Sequence, residues 1–252
     1  MIKYDLVLLG MAKSGTTSTF EMLSNHHQIC ASKRKEPISE LRTIQPNFYF
    51  EKYFKCIDGK TKILLDGTPG PYDNVEKRKV LESISKQNWV RNLKVIYTLR
   101  NPIERLVSQM LTLERAIHKY PDGLSWFRNW FNDDHSVKHE TLEMICTTFI
   151  DSWCIDKAKE FTKEICIVKL NTLDIDFLLN FLDIEKIKLN LRHLNKTEET
   201  FLIPKKMMKG INEFIYKNER VLKDVFISDM KKIENDFNID LSDIIESIGE
   251  YL

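Results

Sequence analysis

Gly10 and Gly15 bracket a lysine, and the residues after that lysine are rich in hydroxyls: Lys13-Ser14-Gly15-Thr16-Thr17-Ser18. The glycine spacing is that of the phosphate-binding pattern G-x-x-x-x-G-K-[ST]. Thr16, however, stands where the lysine of that pattern belongs, and the lysine comes earlier, as Lys13. Backbone N–H groups at a glycine turn and a helix start converge on one point, where the helix dipole adds positive charge. Lys13 adds an ammonium, and Ser14, Thr16, Thr17 and Ser18 add hydroxyl donors. The plainer alternative is a glycine turn that binds nothing, and six such residues together weigh against it. A magnesium-dependent kinase or NTPase places its lysine beside the Ser/Thr that holds the metal, with an acidic partner at a strand end. Asp66 offers the acid, but no Gly-Lys-Ser/Thr is present, so that class is the alternative reading.

A second candidate anion site lies in Tyr97-Thr-Leu-Arg-Asn-Pro102, with Ser108 further on. Arg100 falls at a strand end, where ligands of open parallel sheets gather. Its planar fork suits phosphate oxygens. Arg105 either joins it or is a solvated helix residue paired with Glu104 or Glu114.

The elements that must position these residues are legible. Asp5–Leu9 is a short apolar run ending at Gly10 and reads as a buried strand, and Thr16–Asn25 reads as a helix. Lys62–Asp66, Leu93–Leu99 and Ile165–Leu170 read as further strands. Pro102 suits the first position of a helix running to about Tyr120, and Phe177–Leu182 reads as a short amphipathic helix. The chain from Trp126 to about Lys163 reads as mainly helical and that from Ile211 to Leu252 as helical; Trp126, Phe127, Trp130 and Phe131 form an aromatic cluster that reads as core, with an acceptor-binding wall as the alternative. Strands alternating with helices predict an α/β, P-loop-like fold: a central, mostly parallel sheet flanked by helices, as one domain over 1–252.

The charge is nearly balanced, 38 Lys+Arg against 37 Asp+Glu, which excludes the general basic field of a nucleic-acid binder. The five cysteines, Cys30, Cys56, Cys146, Cys154 and Cys166, form no C-x-x-C pair and read as reduced thiols, with no metal site. Met1–Asp5 runs directly into the first strand, so no signal peptide is read, and no apolar run nears the ~20 residues a membrane helix needs. The expectation is a cytoplasmic protein.

Taken together, these stretches resemble the PAPS-dependent sulfotransferases, whose donor is 3'-phosphoadenosine 5'-phosphosulfate. In that family a loop like Lys13-Ser14-Gly15-Thr16-Thr17 wraps the donor's 5'-phosphosulfate. A later Leu99-Arg100-Asn101-Pro102 with Ser108 matches the grip on the 3'-phosphate. Lys35-Glu36-Pro37 resembles the lysine–glutamate element of the heparan-sulfate-type branch, which implies Glu36 as catalytic base. Asp66-Gly-Thr-Pro-Gly-Pro-Tyr72 resembles that branch's acceptor-side segment, which implies Asp66 and Tyr72 near the acceptor. Gly67 departs from that segment, which usually has a lysine there. Leu194–Phe201 resembles the stretch before a C-terminal donor loop, which would lie around Ile203 to Gly210 with Lys205, Lys206 and Lys209.

The resemblance implies transfer of a sulfuryl group to an acceptor hydroxyl, with 3',5'-ADP as product and no metal requirement. Lys13 inside the loop would stabilise charge on the bridging oxygen, and Glu36 would remove the acceptor proton. Other branches use a histidine base, for which His26, His27 and His118 are the candidates. The expected acceptor is a small molecule such as a secondary metabolite, with a saccharide as the alternative. A binding module that holds 3',5'-ADP without transfer is the non-enzymatic alternative.

Overall fold

The computed structural model describes residues 4–33, 35, 52–67, 92–119, 130–132, 134, 136–189 and 205–250. Glu36 and Tyr72 lie outside them, as do Trp126, Phe127, the side chain of His118 and the 194–201 stretch. In chain order the elements are β1 (Tyr4–Gly10), α1 (Thr16–Ser24), β2 (Ile29–Ala31), β3 (Ile63–Asp66), β4 (Leu93–Leu99) and α2 (Pro102–Lys119). There follow α3 (Glu140–Thr148), α4 (Asp151–Lys159), β5 (Ile165–Lys169), α5 (Ile175–Phe181), α6 (Lys205–Lys217), α7 (Glu219–Phe237) and α8 (Ser242–Glu250). Contacts group the chain into two compact units, 1–99 with 153–194 and 100–152 with 195–252.

The first unit holds the sheet, ordered β2-β3-β1-β4-β5 with every pairing parallel. All seven residues of β4 and all four of β3 are buried, as expected where a parallel sheet is covered on both faces. Leu6, Leu8, Ile63, Leu65, Ile96 and Val168 from the strands pack with Phe20, Met22 and Leu23 of α1 and Leu178 and Leu179 of α5. From β1 the sheet extends on one side through β3 to the edge strand β2 and on the other through β4 to β5, and the chain fills β2 before β3. The ends of β1, β3 and β4 therefore flank the place where strand order reverses, the usual ligand crevice of such sheets.

Two sequence expectations are corrected here. β2 was not foreseen, because three residues carry too little pattern to read. The cysteines are not all reduced thiols: Cys30 on β2 and Cys56 form a disulfide with sequence separation 26. Closing a loop of that size removes about 3–4 kcal/mol of unfolded-chain entropy. Cys146, Cys154 and Cys166 are free thiols, and burial pushes the Cys166 thiol up to about 12.

The second unit is helical. Asn101 caps α2, its Oδ1 accepting from the N–H of Ile103 at 2.8 Å and of Glu104 at 3.2 Å, and Pro102 takes the first helical position. Arg105 is neither solvated nor bound to a neighbouring glutamate. It is wholly buried, donating to Asp151 Oδ1 at 2.8 Å and to the Phe149 carbonyl at 3.1 Å. Trp130 meets Phe149 edge-on with ring centroids 5.5 Å apart, and Phe131 is buried, so both serve as core. The expected loop from Ile203 to Gly210 is helical from Lys205 onward, and Lys209 pairs with Glu213 along α6. No helix among the described residues is long and apolar enough to cross a membrane.

Asp229 on α7 accepts the N–H of Asp151 at 2.8 Å and of Ser152 at 3.0 Å, the first two residues of α4. Burial, with the Asp151 charge second, pushes its carboxyl up to about 6 from 3.8. Between those two pH values the folded state keeps a proton that the unfolded chain has released, so this group favours folding at low pH. That contribution is lost as pH rises to about 6. Relative to Asp229→Asn, wild type should therefore gain on the order of 1–3 kcal/mol in unfolding free energy on going from pH 7 to pH 4. Urea denaturation at the two pH values checks this, and a difference independent of pH would remove the assignment.

Candidate functional site

β1 ends at Gly10, and the chain turns at Met11–Ser14 before α1 begins. The Ser14 N–H and hydroxyl both donate to the Met11 carbonyl, at 3.1 and 2.7 Å, and close this turn. Inside it Lys13 has φ 69°, a left-handed conformation that costs a non-glycine residue roughly 1–2 kcal/mol. Gly15 follows at φ 94° as the N-cap of α1, and a Cβ there would run into the Leu170 side chain. Gly15 offers no side chain to cap the helix, and no acidic residue lies in the first turn. The helix start therefore keeps its positive end unneutralised by a carboxylate of its own, which suits an anion.

Across the sheet, β1 and β4 are in register with Gly10 opposite Thr98. Thr98 Oγ1 and Ser14 Oγ are 2.8 Å apart and meet directly over Gly10. A Cβ on Gly10 would collide with both oxygens. The absent side chain is thus what lets a β4 hydroxyl reach the loop. Ser14 is buried with its donors committed to Met11, so it shapes the turn from within. Thr16 and Ser18 are buried as well, while Lys13 and Thr17 are half-buried.

Lys35 comes to this loop from the far end of β2. Its Nζ donates to Thr17 Oγ1 at 2.6 Å and to Thr16 Oγ1 at 3.3 Å. A second ammonium therefore stands at the start of α1. Neither Lys35, within the Lys-Glu-Pro element, nor Thr98 is identified by the sequence as a site residue. The only sequence signals for them were the Lys-Glu-Pro element and a polar residue inside an apolar strand.

Asp66 closes β3, buried and in register with Val7. At Gly67 the backbone backs onto the Phe20 ring, so a Cβ there would strike the aromatic carbons. This gives a physical reason for the glycine where the resemblance implied a lysine.

In the second unit, Arg100 Nε donates to Glu104 Oε2 at 3.0 Å. Glu104 and Ser108 are one helical turn apart on α2, so the Arg100 side chain and Ser108 lie on the same helix face. Two of the candidate histidines, His26 and His27, follow the C-terminal end of α1. His26 follows the other end of α1, is buried, accepts the Gln28 N–H at Nδ1 (3.1 Å) and meets the Glu185 carbonyl through Nε2 at 2.8 Å. Desolvation holds its pKa below the usual value, so it is a neutral structural ring. His27 is exposed, stacked on His26 and 3.3 Å from Glu185.

The contact over Gly10 is testable by itself. Gly10→Ala should cost about 1–3 kcal/mol by overpacking. In a Ser14→Ala/Thr98→Ala background the same change should cost markedly less, a coupling of about 0.5–3 kcal/mol in a denaturation cycle. Strict additivity would mean that the two hydroxyls are not what excludes a side chain.

Comparison with known proteins follows the same lines. The family model described as the sulfotransferase domain matches residues 3–162. No curated protein matches the sequence significantly. Among solved structures, a sulfotransferase from Alicyclobacillus acidocaldarius aligns over 97% of this chain and 99% of its own, with TM-score 0.58 and 15% identity. At that identity the likeness is one of fold.

Proposed function

Because the chain belongs to the sulfotransferase-domain family, we propose that it moves a sulfuryl group from 3'-phosphoadenosine 5'-phosphosulfate to a hydroxyl of a small-molecule acceptor, in the cytoplasm. The observation that carries this reading is the placement of two lysines at the start of α1: Lys13 in the left-handed turn and Lys35 on the hydroxyls of Thr16 and Thr17. A magnesium-dependent NTPase loop would be expected to present Gly-Lys-Ser/Thr with a metal-holding hydroxyl. Here the Thr16 and Thr17 hydroxyls accept from an ammonium instead.

The reaction breaks a sulfur–oxygen bond to a nucleotide phosphate as the acceptor oxygen attacks from the opposite side. In this proposal Lys13 meets the charge that builds on the departing phosphate oxygen, where it is worth most. Lys35 neutralises the neighbouring oxygens and is kept from wandering by its two threonines. The main-chain N–H groups of Gly15, Thr16, Thr17 and Ser18 surround the 5' end, and Ser14 keeps the turn closed. Arg100, paired with Glu104 of α2, and Ser108, one turn further along that helix, hold the 3'-phosphate. Glu104 fixes the plane of the Arg100 guanidinium, and a planar fork set in this way binds phosphate with less lost entropy. Glu36 takes the acceptor proton, with Asp66 and Tyr72 on the acceptor side. Holding the two reactants in line supplies much of the remaining rate.

The test is to supply the donor with phenolic, alcoholic and short saccharide acceptors and to follow sulfated product and 3',5'-ADP together. Equal release of both is expected, and turnover that needs ATP and magnesium instead would overturn the reading. Lys13→Ala should lower turnover about 100-fold or more. Glu36→Gln should lower kcat by about 100- to 10,000-fold while 3',5'-ADP affinity stays near that of wild type. A Glu36→Gln enzyme with normal turnover would move the base to another residue.

A further inference from the structure

We propose, resting on the nucleotide reading above, that Cys56 is a thiol–disulfide exchange site whose state sets how firmly Lys35 is held at the phosphate end of the nucleotide. The two sulfurs of the Cys30–Cys56 bond are unequally placed. Cys30 is wholly buried on β2, whereas Cys56 is exposed. An incoming thiolate therefore meets Cys56 first. Attack forms a mixed disulfide on Cys56 and expels Cys30 as a thiolate, which takes up a proton. A second thiolate then displaces Cys56 and leaves with the first as a disulfide. Two electrons and two protons have passed from two small thiols to the protein. The reduced Cys56 thiol has an acceptor waiting, since its sulfur lies 3.5 Å from the Ala31 carbonyl. The two cysteines thus have a reason to stay close enough to re-form the bond.

The consequence follows from what the bond fastens. Only a few residues run between β2 and the Lys35 ammonium. Ser32 N–H donates to the Leu65 carbonyl at 2.9 Å and Lys33 N–H donates to the Tyr53 carbonyl at 2.8 Å, while Cys30, within β2, is joined to Cys56. The Tyr53 and Cys56 ties go to the same returning segment. Reduction removes the covalent tie of that segment and leaves the Lys33–Tyr53 hydrogen bond. The stretch bearing Lys35 then regains freedom, and holding its ammonium on Thr17 costs more entropy. A disulfide in a cytoplasmic protein is most often catalytic or redox-sensing, and the place of this one, with Cys30 five residues before the Lys35 that reaches Thr17, fits the second use.

Two measurements test this separately. Oxidised protein treated with glutathione and mapped by peptide mass should carry glutathione on Cys56. Glutathione on Cys30, or no exchange, would overturn the site whatever the nucleotide does. Calorimetry with 3',5'-ADP should show Kd rising about 3- to 10-fold on reduction of wild type and in Cys56→Ser, a loss of preorganisation, and returning on reoxidation. Lys35→Ala should bind weakly and respond little to reduction. Reduction that lowers Tm but leaves Kd unchanged, or that acts equally on Lys35→Ala, would reduce the bond to a structural clamp and overturn the proposal. If oxidised wild type itself fails to prefer 3',5'-ADP over 5'-AMP, the nucleotide reading is what fails, and the glutathione map still decides the exchange site.

Discussion

The closure of the Met11–Ser14 turn is the interaction from which the candidate site follows. A lysine in a left-handed conformation is held there because one carbonyl receives two donors from Ser14. Ser14 in turn meets a hydroxyl from the neighbouring strand. That strand hydroxyl can approach only because Gly10 has no side chain. Sheet register, turn and cation are therefore one unit. The pairing of β1 with β4 decides where Thr98 stands, and Thr98 helps decide how the loop leaves the sheet.

Electrostatics divides the arginines and acids by a similar logic. Arg100 and Arg105 are five residues apart in one stretch, yet one is half-buried beside Glu104 and the other is wholly enclosed with Asp151. A buried guanidinium is tolerable only with such a partner. Asp229 shares that interior and binds the first N–H groups of α4. The cluster joins α2, Asp151 with Ser152, and α7 through charge, whereas the sheet packs an apolar core. Arg100 stays half-buried just before α2, paired with Glu104.

How much of this was legible in the sequence depended on how local the cause was. β4, the Asn101–Pro102 helix start and the α1 start could be read because each is written in a few adjacent residues. The glycine and lysine spacing gave the loop for the same reason. Cys30 and Cys56 pair only because a three-residue edge strand brings one beside the returning chain. Arg105 looked like a surface residue because its acid lies 46 positions away. Lys35 reaches Thr17 across a strand, 18 positions on. None of these leaves a periodic mark, so pattern reading could not find them.

The Phe20 ring behind Gly67 sets an order on evolutionary change. Position 67 cannot acquire a side chain while the ring is in place, because the new carbon would occupy aromatic volume. Position 20 must first become smaller, which opens a void in the helix–sheet interface. Placing a lysine at 67 thus requires a loosened α1, and the two positions are coupled through one ring.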